Sequence, residues 1–239
     1  MLGFLKTKIK KVLMVLTGRY NHLRRGINVR TNWYGNEYGG FFVCPDSLNE
    51  NSVVYSFGIG EDVSFDIDII NRHSCSVFGF DPTPKSIKWV DNQRSKLPSK
   101  FNFFDYGLGD KTGPIIFYLP KNREHVSGSY VQQDNVDTMQ AIEVQMKSLK
   151  DIAAQLGHKK IDVLKMDIEG AEYKVLESVI ESGVPINQIL IEFHERFFDN
   201  GKELTTRIVD LMKSKSYEIF AISDTFEEVS FVKKDNLTN

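Results

Sequence analysis

Along the middle of the chain, short apolar runs alternate with stretches of helical periodicity. Residues 53–57, 76–80, 161–166 and 188–193 are near-continuous apolar runs, the pattern of strands buried on both faces of a parallel sheet. Residues 62–72, 85–92, 149–156, 171–181 and 203–213 carry apolar positions three and four apart, which predicts helices. Residues 101–104 form a weaker strand signal, and 113–119 and 142–147 predict additional strands. Residues 30–48 are rich in aromatics and glycine, and predict short extended pieces leading into the core. At the end of the chain, runs 217–222 and 227–232 are separated by too few residues for a helix. They must pair as an antiparallel hairpin, since a parallel pair needs a crossover of about a dozen residues or more. The expectation is an α/β doubly wound sheet that ends in an antiparallel hairpin.

Composition refines this picture. A chain of 239 residues with 41% hydrophobic positions suits one globular domain, placed at 33–234, with a tail at 235–239. The net charge of -2 hides an asymmetry. Lys6, Lys8, Lys10, Lys11, Arg19, Arg24, Arg25 and Arg30 precede the first acid, Glu37, so residues 1–32 read as a basic helical extension. Leu2, Leu5, Ile9, Val12, Leu13 and Leu16 fall on one stripe, which fits either docking on the domain or peripheral contact of residues 2–16 with an anionic membrane or an acidic partner. Lysines interrupt this segment, so it is a poor signal peptide, and no run reaches the roughly 20 apolar residues of a membrane span. Cys44 and Cys75 make no disulfide framework, which points to a cytoplasmic protein with free thiols. The acidic body argues against a nucleic-acid substrate.

The candidate chemistry starts at "VVYSFGIGEDVSFD", where a strand runs into a glycine turn and then into Glu61 and Asp62. Gly58 and Gly60 let backbone approach a ligand, but two carboxylates at a helix start would repel a pyrophosphate. Asp81 ends the next strand, where a carboxylate can accept hydrogen bonds from a ribose diol; capping of the helix after Pro82 is its structural alternative. A nicotinamide dinucleotide prefers G-x-G-x-x-G with an uncharged turn, and Val63 stands at the third glycine position. S-adenosylmethionine has no phosphate and carries two cationic groups, so the acidic turn favours it.

Two more stretches, "IDVLKMDIEGAEYKVLE" and "ILIEFHERF", end strands with ionisable residues. Alternation along a strand would pair Asp167 with Glu169 and Glu192 with His194. Neighbouring strand ends converge on the ligand cleft of a doubly wound sheet, and ionisable groups crowded there need partners or a task. Lys165 and Arg196 are the available neutralising partners. His194 is the expected general base toward an acceptor hydroxyl, oriented by Asp167 or Glu192. A divalent metal held by Asp167, Glu169 and Glu192 is the less favoured route.

Together, "YSFGIGEDVSFD", "VFGFDPTPKS", "YGLG", "VLKMDIEGAE" and "IEFHERF" resemble the FkbM-type family of S-adenosylmethionine-dependent methyltransferases, over roughly residues 33–232. The resemblance implies a class I methyltransferase, Rossmann-like fold with a seven-stranded sheet of order 3-2-1-4-5-7-6. It also implies O-methylation of a sugar, glycan or secondary metabolite. Carried onto this chain, Ser56, Phe57, Gly58, Gly60 and Glu61 would line the methionine part, and Asp81 and Pro82 the ribose. Asp105, Tyr106, Gly107 and Leu108 would sit near the adenine. The chain departs from the general D-x-G-x-G-x-G pattern at Ser56 and Asp62, so Glu61 or Asp167 is expected to meet the cofactor ammonium. A nicotinamide-dependent oxidoreductase and a non-catalytic adapter on the same fold are the competing classes.

Overall fold

The apolar runs assemble into one central sheet. The computed structural model describes residue 20, residues 22–120 and residues 136–236. In chain order the strands are β1 (Asn32–Tyr34), β2 (Phe41–Val43), β3 (Val53–Phe57), β4 (Ser76–Phe80), β5 (Phe101–Phe104), β6 (Gly107–Leu108), β7 (Gly113–Pro120), β8 (Val136–Lys147), β9 (Ile161–Met166), β10 (Ile186–Glu192), β11 (Tyr217–Ile222) and β12 (Glu228–Lys233). The helices are α1 (Ser64–His73), α2 (Pro84–Gln93), α3 (Leu149–Leu156), α4 (Glu172–Glu181) and α5 (Gly201–Ser214). Seven strands form the main sheet in the order β11-β12-β10-β9-β3-β4-β5. The five from β10 to β5 pair in parallel, and β12 is antiparallel to both β10 and β11. Numbered along the chain within this sheet, the order is 3-2-1-4-5-7-6. This is the class I methyltransferase arrangement, with the terminal hairpin where it was expected.

The small differences from the sequence reading have local causes. Helix α1 starts at Ser64 rather than 62, because the Asp62 carboxylate accepts from the Ser64 N–H (2.9 Å) and from its hydroxyl (3.0 Å). β8 extends back to Val136 because β7 provides an antiparallel partner along its length. Residues before 33 pack against the sheet: Leu23 is buried, and the Gly26 N–H donates to the Ile219 carbonyl (2.8 Å). The stripe expected over residues 2–16 and the end of the tail lie outside the described residues. Among the described residues, no helix is long and apolar enough to cross a membrane.

The carboxyl ends of β4, β3 and β9 are tied together at Gly58. The Gly58 N–H donates to the Phe80 carbonyl (3.0 Å), and the Asp167 N–H donates to the Phe57 carbonyl (3.1 Å). Lys165, buried in β9, donates its Nζ to the Gly58 carbonyl (2.9 Å). Gly58 has a φ of 80°, and a Cβ there would overlap the carbonyl oxygen of Asp167. Gly60 has a φ of 57°, but a Cβ there would meet nothing within 4 Å. The first glycine is required by the strand junction, whereas the second opens onto empty space. Beneath the turn, Ser56 and Asp66 are buried, and neither Ser56 Oγ nor Asp66 Oδ1 makes a well-formed hydrogen bond. Burial pushes the Asp66 carboxyl up to about 6, against the opposing pull of the Lys165 ammonium.

Two outcomes follow for stability. Gly58→Ala should cost several kcal/mol, whereas Gly60→Ala should cost only about 1–2 kcal/mol, the usual left-handed penalty. Urea unfolding of the two variants side by side measures the contrast, and equal losses would remove the junction from its central role. For Asp66 the native state holds the proton more tightly than the unfolded chain. Its contribution to stability is therefore present below about pH 4 and is lost as pH rises toward 6. Relative to wild type, Asp66→Asn should gain roughly 2–3 kcal/mol between pH 4 and 7, read from denaturant curves at each pH.

Candidate functional site

A cavity of about 450 Å³ opens at the carboxyl ends of β3, β4 and β9, within the roughly 300–1,000 Å³ of small-molecule sites. One wall is the glycine turn, from Phe57 to Asp62, and another is Phe80 to Thr83 at the end of β4. Gly107, Leu108, Phe117 and Met146 close the apolar side, and Asp167 and Glu169 stand on the far side. Phe57 and Phe80 stack at 4.6 Å between ring centroids and give the cavity an aromatic floor.

Asp81 directly follows β4, one position past the strand end expected from the sequence, and it does two jobs at once. One carboxylate oxygen accepts from the Gly60 N–H (2.9 Å). The other accepts from the Thr83 N–H (2.9 Å) and hydroxyl (2.6 Å). Thr83 in turn caps α2 by accepting from the Ser86 N–H, so ligand wall and helix start share one residue. Burial pushes the Asp81 carboxyl above its ordinary range, while the Thr83 and Gly60 hydrogen bonds hold it down.

The acids of the turn are more engaged than the sequence suggested. Glu61 pairs with Lys85 at 3.2 Å on the cavity rim. Asp62 accepts from the Asn36 side chain at 2.8 Å. Asn36 belongs to the connector between β1 and β2, so that bond brings Tyr38 and Gly39 to the cavity edge. Neither residue was singled out from the sequence, because a contact 26 positions away leaves no local pattern.

The structure brings together Asp167, Glu169, Glu192 and His194, but not by strand alternation. β9 ends at Met166 and β10 at Glu192, so Asp167, Glu169 and His194 all lie past the strand ends. Glu169 takes a left-handed conformation (φ 54°) ahead of Gly170 (φ 90°), a costly arrangement typical of functional loops. His194 is only 1% exposed. Its N–H and Nδ1 both face the buried Glu172 carboxylate, at 2.9 and 3.2 Å. The other Glu172 oxygen accepts from the Gly170 N–H (2.9 Å). Nε2 points into the cluster, 3.4 Å from Glu169, 3.5 Å from Glu192 and 3.8 Å from Asp167, and forms no hydrogen bond. Glu172 is the residue sequence reasoning missed, although it closes the quoted "KMDIEGAE" motif.

These contacts change the role expected of His194. Burial alone favours a neutral ring, but the carboxylates of Glu172, Glu169 and Glu192 outweigh it and raise the histidine above its ordinary value. Glu192 is raised too, by burial first and then by the neighbouring Asp167 charge. The neighbouring acids favour the protonated ring, which makes it a weaker base, and His194 does not line the cavity. Of this cluster, Asp167 and Glu169 face the cavity.

The remaining expectations divide. Phe57, Gly58, Gly60, Glu61, Asp81, Pro82, Gly107, Leu108 and Asp167 line the cavity. Ser56 lies beneath it, and Asp105 is exposed outside it. Tyr106 is buried against Phe80 and Phe104 rather than facing a ligand.

This chain is similar to several known proteins. The human probable methyltransferase-like protein 24 is 27% identical over 82% of this chain and 49% of its own length. Hexuronic acid methyltransferase AglP of Haloferax volcanii is 24% identical over 56% of each chain. 2-O-methyltransferase NoeI of Sinorhizobium fredii is 26% identical over 60% of this chain and 63% of its own. The chain thus spans about half to two thirds of the length of the curated relatives it matches. Among solved structures, the SAH-bound Podospora anserina methyltransferase PaMTH1 aligns with a TM-score of 0.46 at 9% identity, covering 76% of this chain and 71% of that one. Residues 51–219, more than half of the sequence, match the family model described as the methyltransferase FkbM domain, and the chain belongs to that family.

Proposed function

We propose that this chain is an S-adenosylmethionine-dependent methyltransferase that methylates a hydroxyl oxygen of a sugar, glycan or secondary metabolite. The observation that carries the reading is one cavity bounded by the Gly58–Gly60 turn, by Asp81 and by the carboxylates of Asp167 and Glu169. The residues fit such a cofactor. The open space beside Gly60 admits its backbone-hugging chain, Asp81 lies where a ribose diol would hydrogen-bond, and the apolar side formed by Leu108, Phe117 and Met146 suits an adenine face. The relatives that act on a hexuronic acid and at a 2-O position support a sugar-like acceptor.

Bound there, S-adenosylmethionine would supply a methyl group whose bond to sulfur breaks as the bond to the acceptor oxygen forms, the electron pair returning to sulfur. The chain's own residues do the rest by positioning. Phe57 and Phe80 provide an apolar floor that excludes water. The cavity-facing carboxylates attract the cationic donor and take the proton that the acceptor hydroxyl loses. His194, held by Glu172, faces the carboxylates from behind instead of receiving that proton itself. The acidic rim and the absence of a third glycine disfavour a nicotinamide dinucleotide. A cytoplasmic location, and contact of residues 2–16 with an anionic membrane, belong to the same proposal and rest on the basic sequence pattern alone.

Calorimetry should show S-adenosylmethionine binding to the wild-type protein with no heat from NAD; the reverse result would move the chain to the oxidoreductase class. Asp81→Asn keeps the shape of the carboxylate but loses one acceptor. It should weaken S-adenosylmethionine binding by about ten- to a hundredfold, the range set by one charge-assisted hydrogen bond. Asp81→Ala should lower the unfolding midpoint further, because Gly60 and Thr83 then both lose their acceptor. Unchanged affinity in folded Asp81→Asn would reduce Asp81 to a helix-capping residue.

A further inference from the structure

We propose that Asp167, Glu192 and His194 form a binding site for a divalent cation of the Mg²⁺ or Mn²⁺ type, placed at the edge of the cavity to hold the acceptor oxygen. One ligand atom from each of the three lies within 4.8 Å of the others. The separations from Nε2, 3.8 Å to Asp167 and 3.5 Å to Glu192, are too long for charge-assisted hydrogen bonds. They are close to the roughly 3–4 Å expected between neighbouring ligands that share an ion at about 2.0–2.2 Å.

The histidine is prepared for this role. Its Nδ1 faces Glu172 Oε1, and its own backbone N–H donates to the same oxygen. A carboxylate on Nδ1 fixes the tautomer that leaves the Nε2 lone pair free, which is how metal-binding histidines are oriented. That Nε2 is buried, has no hydrogen-bond partner and points at the carboxylates of Asp167 and Glu192, with Glu169 also 3.4 Å away.

Nearby cations do not account for the cluster. Lys165 is 4.0 Å from Asp167 and is held by the Gly58 carbonyl at 2.9 Å. Arg196 is 3.9 Å from Glu192 and is held by Glu227 at 2.7 Å. Each is committed elsewhere, so neither makes a close pair with the proposed ligands. Two carboxylates with one imidazole suit a hard cation, and Mn²⁺ tolerates the nitrogen more readily than Mg²⁺. Glu192 and His194 close the site from behind, while Asp167 opens it to the cavity. A hydroxyl bound at the open position would be acidified, its proton passing to Glu169, which also lines the cavity. What the cation does rests on the methyltransferase reading; whether it binds does not.

The test uses the full chain, dialysed against a chelator and titrated with manganese(II) chloride in the absence of cofactor and acceptor. One Mn²⁺ per chain is expected, with imidazole nitrogen coupling in its spin-echo spectrum. His194→Ala should remove that coupling, and both it and Asp167→Asn should weaken Mn²⁺ binding about tenfold or more. Asp91→Asn, a change at an exposed pair with Arg94, should leave binding as it was. No stoichiometric site in the wild type, or a site without nitrogen coupling, overturns the proposal without relying on any variant. S-adenosylmethionine binding is measured on the same sample. A protein that binds the cofactor but not Mn²⁺ refutes the cation site alone, whereas one that binds Mn²⁺ but not the cofactor upholds the site and refutes the methyltransferase reading.

Discussion

The contact between Gly58 and the Asp167 backbone sets the geometry of everything around the cavity. No side chain fits at Gly58, so β3 and β9 leave the sheet in close contact, tied by the Asp167 N–H to the Phe57 carbonyl and by Lys165 to the Gly58 carbonyl. The glycine turn and the loop carrying Asp167 and Glu169 therefore form facing walls of one cavity. A more distant approach would separate the glycine turn from the acids. In this fold the requirement for a glycine is first a packing requirement, and the site inherits its position from it.

Charge is distributed around that junction in two different ways. In the turn, Glu61 pairs with Lys85 and Asp62 with Asn36 and Ser64, so its acids serve largely to hold a rim and start a helix. Deeper in, Asp167, Glu169 and Glu192 surround a histidine whose nearest satisfied contact is Glu172. Carboxylates at such separations repel one another unless positive charge lies between them. The acids that gave the sequence its distinctive look are mainly structural, and those with chemical potential are placed further along the chain.

Much of this was legible because parallel strands write themselves as apolar runs. The runs at 53–57, 76–80 and 161–166 coincide with β3, β4 and β9, and the short spacing before the last strand forced the antiparallel hairpin. Asp81 was legible because a strand end and a ligand cleft coincide in doubly wound folds. Less legible were contacts between distant segments. Nothing local marks Asn36 as the partner of Asp62, or Gly26 as a hydrogen-bonding neighbour of Ile219. Strand alternation brought the right acids together for the wrong reason, since three of the four cluster residues sit beyond the strand ends. Tyr106, expected near the adenine, does not line the cavity, because its ring completes the aromatic core with Phe80 and Phe104.

His194 shows why residue type and location do not fix a role. At a strand end beside acids, a histidine reads as a base. The Glu172 contact and the neighbouring acids convert that reading against the effect of burial, because the same acids that would orient a base also favour its protonated form. Two arrangements relieve that tension. Either the proton on Nε2 supplies the positive charge the carboxylates need, or a cation takes its place and the ring turns neutral. In the first, the ring's own charge balances Asp167, Glu169 and Glu192; in the second, the cation does so and the ring serves as one of its ligands. The histidine's chemical identity matters because imidazole alone among the side chains can fill either part near neutral pH.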